Sequence, residues 1–288
     1  MTRLRPQRAS APRRGSRVSA WVRERAEAEG SELTRVRDAL AARGLAPRKR
    51  FGQNFLIREE LAERIVEHSR LREDDVAVER DAGLAQLLRE ELAESPRVEI
   101  VEADFLEFDL AAAARAHGAD KLVVVGNIPY NVTTPILERL FDQRAVVRSA
   151  VLLVQKEYAE RLAAAPGTSE YGALTLFARY HALLEPLMSV RASAFWPRPE
   201  VDSMLVRFHL REHPPVETPD EALLFRIIRG SFQMRRKQLG NTLEESLGLS
   251  ADAVARLCRA AGIDPRRRGE TLTLDEFAKL AREAAARG

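Results

Sequence analysis

The chain has 288 residues, of which 45% are hydrophobic and 31% charged, with a formal net charge of +3. That length holds one large domain and one small one, and that balance excludes an unfolded polymer. The lone cysteine, Cys258, excludes a disulfide framework and a multi-cysteine zinc site, and His68, His117, His181, His209 and His213 lack ligand spacing, so no metal or redox chemistry is expected.

No apolar stretch approaches the ~18 residues of a membrane span, and the N-terminus lacks the apolar core of a secretory signal, so a cytoplasmic protein without membrane contact is expected. Residues 1–18 are rich in Pro, Arg and Ser, with six arginines and no acid, and are expected to be disordered. Residues 19–43 read as helical, interrupted at Gly30-Ser31 and ended by Gly44. Residues 1–44 thus form a basic N-terminal extension.

From residue 45 short apolar runs alternate with amphipathic segments, the signature of an α/β domain with a mostly parallel sheet. Strands are predicted at Arg97 to Val101, Lys121 to Val125, Ala150 to Val154, Leu183 to Val190 and Met204 to Leu210. Helices are predicted at Glu59 to Ser69, Ala82 to Glu94, Pro135 to Phe141, Lys156 to Ala164 and Gly172 to His181. The proline-rich run from His213 to Pro219 marks a linker, so the α/β domain spans 45–212. Residues 213–288 form a small all-α domain, with helices at Ser231 to Leu247, Ser250 to Ala261 and Thr273 to Ala286.

Four stretches carry chemistry. Asn127-Ile128-Pro129-Tyr130 follows a strand directly, at the end of an open sheet where ligands bind. The exocyclic amine of adenine is a poor nucleophile because its lone pair is delocalised into the ring. The Asn127 amide oxygen and the Ile128 carbonyl can accept its hydrogens, Pro129 fixes the backbone that aims them, and Tyr130 offers a flat face to an unstacked base. Read blandly, the tetrapeptide is an ordinary strand-to-helix turn. Arg50-Phe51-Gly52-Gln53-Asn54-Phe55-Leu56 can turn tightly and pack on a ligand, or simply lead into a helix. Glu79 and Asp104 each follow an apolar run, where a carboxylate can accept from ribose hydroxyls or an adenine amine, or be a plain surface acid. In Ala194 to Ser203 two prolines stiffen a loop in which Phe195 can face a base opposite Tyr130, with a hydrophobic plug as the alternative for Phe195 and Trp196.

In this order the four stretches resemble the KsgA-type family of ribosomal RNA adenine dimethyltransferases. The likeness runs from about Gly44 to Ala281. It takes in Val154-Gln155-Lys156-Glu157, Tyr171-Gly172-Ala173-Leu174, Phe232-Gln233-Met234-Arg235-Arg236-Lys237-Gln238-Leu239 and Ala261-Gly262-Ile263-Asp264-Pro265. The resemblance implies a Rossmann-like domain that uses S-adenosylmethionine to dimethylate adenosine N6, followed by the helical domain. It assigns Asn54, Leu56, Glu79, Asp104 and Asn127 to the cofactor, with Glu79 on its ribose and Asp104 on its adenine. Asn127, Pro129, Tyr130 and Phe195 fall to the acceptor base, and Arg235, Arg236 and Lys237 to an RNA-facing surface. The implied partners are small-subunit ribosomal RNA and the pre-assembled small subunit, met by a monomer.

One departure stands out. Between Asp75 and Glu79 the family has a first strand ending in an acid, a Gly-rich turn and a helix, whereas here Asp75-Val76-Ala77-Val78-Glu79 runs straight into what resembles the second strand. The missing unit supplies a central strand and one wall of the cofactor pocket. A paralogue that has lost the unit, a deletion variant and a sequence read with a gap all fit. The alternative function is a catalytically impaired RNA-binding or subunit-assembly factor.

Overall fold

The computed structural model describes residues 32–48, 52–69, 75–93, 98–234 and 236–286. The helical and disordered readings for residues before 32 lie outside these. Helix α1 covers 32–41, followed by β1 (Phe55–Leu56), α2 (Glu59–Ser69), β2 (Asp75–Glu79), α3 (Ala82–Glu91), β3 (Val98–Glu102) and α4 (Leu110–Ala116). Then come β4 (Leu122–Asn127), α5 (Thr133–Asp142), β5 (Val147–Gln155), α6 (Lys156–Ala163), α7 (Ala173–His181), β6 (Ala182–Val190), β7 (Phe195–Trp196) and β8 (Ser203–Leu210). Helices α8 (Glu221–Gln233), α9 (Leu239–Leu247), α10 (Ala251–Ala261) and α11 (Leu274–Ala285) complete the chain.

The backbone pairing separates into a parallel pair β2-β3, a four-stranded sheet β4-β5-β8-β6 and a short antiparallel ribbon β1-β7. In the larger sheet β4 and β5 are parallel, while β8 runs antiparallel to both β5 and β6. A doubly wound sheet would be continuous; here it stops between β2 and β4. The edge strands show it. Central β5 is buried along almost its whole length, whereas β4, an equally apolar Leu-Val-Val-Val-Gly run, is only half-buried throughout. A strand that reads as core but pairs on one side alone is what removal of a neighbouring strand leaves.

Helix starts follow their caps. Asp81 accepts from the Gly83 and Leu84 amides at α3, Asp109 from Ala112 at α4 and Asp220 from Leu223 at α8. Thr273 and Glu276 close a reciprocal capping box at α11. Each cap contributes about 1 kcal/mol by satisfying amides that have no partner inside the helix.

Two expectations are corrected. The single helix predicted from Ser231 to Leu247 is two helices, because α8 already starts at its Asp220 cap and the chain leaves helical geometry at Met234 (φ −124°, ψ 69°). The first amides of α9 are then satisfied from outside, Leu239 donating to the Arg267 carbonyl and Gly240 to that of Pro265. Residues 32–44, read as part of an extension, lie against the α/β layers. Arg35 pairs with Glu59 of α2, Arg43 with Glu90 and Glu91 of α3, and Leu40 is buried.

The helical region shares its core with α7: Tyr171, Leu176 and Tyr180 pack with Leu224, Ile228, Leu243, Phe277 and Leu280. Where the two regions meet, the His181 ring lies nearly parallel to Phe141 (centroids 5.1 Å apart) and to Phe225 (5.9 Å). Burial pushes its pKa down from 6.5 to about 4, helped by the Arg144 charge. In the native fold His181 is therefore neutral where the unfolded chain binds a proton. Its contribution is whole above pH 6.5 and is lost as pH falls toward 4, a change of about 3 kcal/mol. Urea unfolding at pH 7 and pH 4.5 is expected to show this loss, and His181→Phe to flatten it; an equal pH slope in the variant would remove His181 as the cause.

Candidate active site

A cavity of about 550 Å³ opens at the carboxyl ends of β2, β3 and β4, on the line where the sheet is interrupted. Asn54, Leu56, Glu79, Asp104, Asn127, Pro129 and Tyr130 all line it, so seven residues from four separate stretches of sequence meet in one space.

The two acids come together through strand register. Parallel pairing of β2 with β3 sets Glu79 beside Glu102, and Asp104 lies just past that strand end. A Glu79 carboxylate oxygen, Oε1, accepts from the Asp81 amide at 2.7 Å. Burial raises its pKa, the neighbouring Asp81 charge adds to this, and the Asp81 and Arg80 amides oppose it. Asp104 is held at both oxygens: Oδ1 accepts from the Leu106 amide at 3.0 Å and Oδ2 meets Arg80 Nη1 at 3.0 Å. Asp81, almost wholly buried, pairs with Arg48 at 3.0 Å while capping α3.

On the opposite wall Asn127 ends β4, and its Nδ2 donates to the Asn54 carbonyl at 2.9 Å. That bond ties the Gly52 to Leu56 stretch to the Asn127 to Tyr130 turn and uses the amide nitrogen, so that Oδ1 is the acceptor the side chain has left. The Tyr130 hydroxyl bonds Ser203 Oγ at 2.7 Å, which pins the ring. Gly52 adopts φ +60°, and a Cβ there would lie 3.1 Å from Asn131 Oδ1 and 3.2 Å from Pro129 Cβ. Only glycine fits both the left-handed backbone and that approach.

Phe195 differs from its expected place at the acceptor base. It is absent from the cavity wall and 3% exposed, packed with Val151, Leu153, Met188 and Val190. The cause is the β1-β7 ribbon, in which Phe195 stands opposite Leu56 and turns its ring into the core under the sheet. The basic run lies elsewhere, in the loop between α8 and α9, where Arg236 and Lys237 are exposed and Lys237 approaches Glu245 at 3.8 Å. Arg235 lies outside the described residues. The sequence reading missed Arg80, Arg48 and Ser203, which hold Asp104, Asp81 and Tyr130. Ser203 stood within a stretch already singled out and Arg80 beside Glu79, but nothing local announces that Arg48 reaches α3.

The family model for ribosomal RNA adenine dimethylases matches residues 74–285. The chain belongs to this family. Ribosomal RNA small subunit methyltransferase A of Geobacter metallireducens is 40% identical over 269 residues, covering 85% of this chain and 98% of the relative. Its namesake from Geobacillus thermodenitrificans is 38% identical over 274 residues, covering 85% and 94%. Among solved structures, a dimethyladenosine transferase from Plasmodium falciparum superposes with a TM-score of 0.63 at 19% identity, over 80% of this chain and 97% of that one. The 23S rRNA methyltransferase ErmE gives 0.58 at 23% identity, over 80% and 99%. These two share the dimethylase fold.

Within the family the interruption has a size. The alignment with the Geobacter relative counts 269 residues, while 85% of 288 is about 245, so about two dozen positions of the relative face nothing here. The family match itself starts at residue 74, one position before β2. A strand, a turn and part of a helix need about that many residues.

Gly52→Ala is expected to lower the melting temperature by several degrees, the cost of the left-handed backbone being about 1 kcal/mol before any displacement of Pro129. It should also change the environment of Tyr130, read as near-ultraviolet circular dichroism. An unaltered melting curve and spectrum would show that the two loops do not depend on each other.

Proposed function

We propose that this chain methylates the N6 amine of adenosines in small-subunit ribosomal RNA, with S-adenosylmethionine as the methyl donor, during assembly of the subunit in the cytoplasm. The observation that carries this is one cavity at the strand ends holding Glu79 and Asp104 on one wall and Asn127 with Tyr130 on the other. Its volume of about 550 Å³ falls within the range of cofactor sites, ~300–1,000 Å³. The polar groups fit the cofactor: Glu79 accepts from the ribose hydroxyls, Asp104 from the adenine amine, and Asn54 and Leu56 border the rest. When bound, the cofactor supplies a methyl group on a cationic sulfonium.

The protein's own residues do the rest. Asn127 Oδ1 and the Ile128 carbonyl accept the two amine hydrogens, which favours a tetrahedral nitrogen with its lone pair directed outward. Pro129 keeps that carbonyl aimed, and Tyr130 covers the base. These contacts strengthen as the amine attacks, so they act on rate more than on binding. Domain limits of 45–212 and 213–288 belong to the same reading. In it, Arg235, Arg236 and Lys237 meet RNA phosphates on the assembled small subunit, and the protein acts as a monomer.

A second reading has its own observation. Among the described residues no strand or Gly-rich turn stands between β2 and β4, and with such a unit would go backbone donors that meet the cofactor. Loss of each buried partner costs about 1–3 kcal/mol, enough over several to turn a micromolar ligand into a millimolar one. A chain so weakened would act as an RNA-binding assembly factor.

Asn127→Ala should lower methyl transfer to unmodified small subunits by about 10²–10³-fold at nearly unchanged particle affinity; equal transfer would end the assignment. Calorimetric titration with S-adenosylmethionine separates the two readings: a methyltransferase gives a micromolar Kd as it stands, whereas an assembly factor gives a millimolar one that becomes micromolar once the two dozen positions of a relative are restored. Micromolar binding without restoration would rule out the assembly-factor reading.

A further inference from the structure

Trp196 has no part in the chemistry above, yet it is paired with Phe55, which lines the pocket. It lies opposite Phe55 in the β1-β7 ribbon, and the residue before Phe55 is Asn54, whose carbonyl receives the Asn127 amide. The indole is thus one strand across and one residue along from Asn54, the residue that anchors the Asn127 side chain. Phe195 beside it is buried, whereas Trp196 is only half-buried. Over its ring sits the Arg37 guanidinium of α1, 5.8 Å from the centroid, within cation–π range.

Arg37 differs from the arginines near it. Arg35 on α1 and Arg43 just past its end pair with carboxylates, while Arg37 is exposed and has no acidic partner among the described residues. A guanidinium that stays free of carboxylates while resting on an aromatic plane keeps its donors available to a phosphate. The helix carrying it is anchored, with Glu32 bonded to Arg58 at 3.3 Å and accepting from the Glu59 amide at 3.2 Å.

We propose that Trp196 and Arg37 form a clamp for the RNA nucleotide next to the target adenosine, the indole taking its base and the guanidinium its phosphate. The inference rests on the methyltransferase reading of the pocket. An adenosine turned into the cavity leaves its neighbour without a stacking partner. An aromatic face at the rim replaces that partner without regard to base identity, and a cation beside it fixes the backbone that must swing. The clamp therefore holds the strand open while Asn127 and Tyr130 hold the base.

The test uses a short single-stranded RNA carrying 2-aminopurine either at the target position or at the adjacent position on each side. The wild-type chain should change the fluorescence at the target and at one neighbour. Trp196→Ala should abolish the neighbour signal, keep the target signal and weaken binding by about tenfold, with Trp196→Phe restoring most of the loss. Arg37→Ala should weaken binding and lower the dependence of log affinity on log salt by about one. Tyr130→Ala should do the opposite of Trp196→Ala, losing the target signal alone. Absence of any neighbour signal in the wild type, or equal loss at both positions in Trp196→Ala, would overturn the clamp. Absence of a target signal that depends on Tyr130 would instead strike the methyltransferase reading, so the two failures are distinguishable.

Discussion

Pairing of β4 with β5 fixes the pocket. The register runs from Leu122 against Val147 to Asn127 against Leu153, and β5 is itself locked to β8 from Ser149 to Gln155. Because Leu152, Leu153 and Val154 are enclosed on both faces of β5, sliding this pair by one residue would swap the side chains packed on its two sides and break both cores. Asn127 is thereby delivered to the strand end with its backbone set, and the Pro129 turn follows. Glu79 and Asp104 depend on a different pairing, β2 with β3. The two halves of the site meet across a space that no strand bridges among the described residues, held from one side by the Asn127–Asn54 bond and from the other by α1 and α3.

The helical region is joined to this frame through side chains. Phe177 touches the cores of both, and the Tyr171 hydroxyl donates to the Leu272 carbonyl at 2.7 Å. The loop carrying Arg236 and Lys237 runs into the first turn of α9, whose Leu239 and Gly240 amides bond the Arg267 and Pro265 carbonyls. Its charges are thus carried on a framed surface, which lowers the entropy lost when they meet an extended anion.

Much of this was legible in the sequence. Glu59–Ser69 is the predicted helix, and the predicted strands from Arg97 to Leu210 all appear with no end moved by more than three residues, because apolar period and capping residues are local signals. The site motifs, too, were local: each is a short run at the end of a strand. What stayed hidden was nonlocal. Whether Phe195 faces a base or the core is decided by its pairing with Leu56, and the reach of Arg37 to Trp196 by the angle at which α1 packs. The split of α8 from α9 depends on carbonyls of Pro265 and Arg267, which no pattern around Met234 reveals. Direct passage into β2 was visible as a missing motif, but its effect on the sheet became visible only in the half-buried Val123, Val124 and Val125.

Those three valines bear on how the molecule behaves at high concentration. A strand that is apolar, β-branched and paired on one side presents a row of unused amides and carbonyls to any other extended chain. Natural sheets blunt such edges with lysine, proline or a bulge, and the Leu122 to Asn127 run contains no charge and no proline. The facing edge strand, β2, carries Asp75 and Glu79 at its two ends and is the better guarded of the two. Association through β4 therefore competes with the native state during folding, while that edge is open.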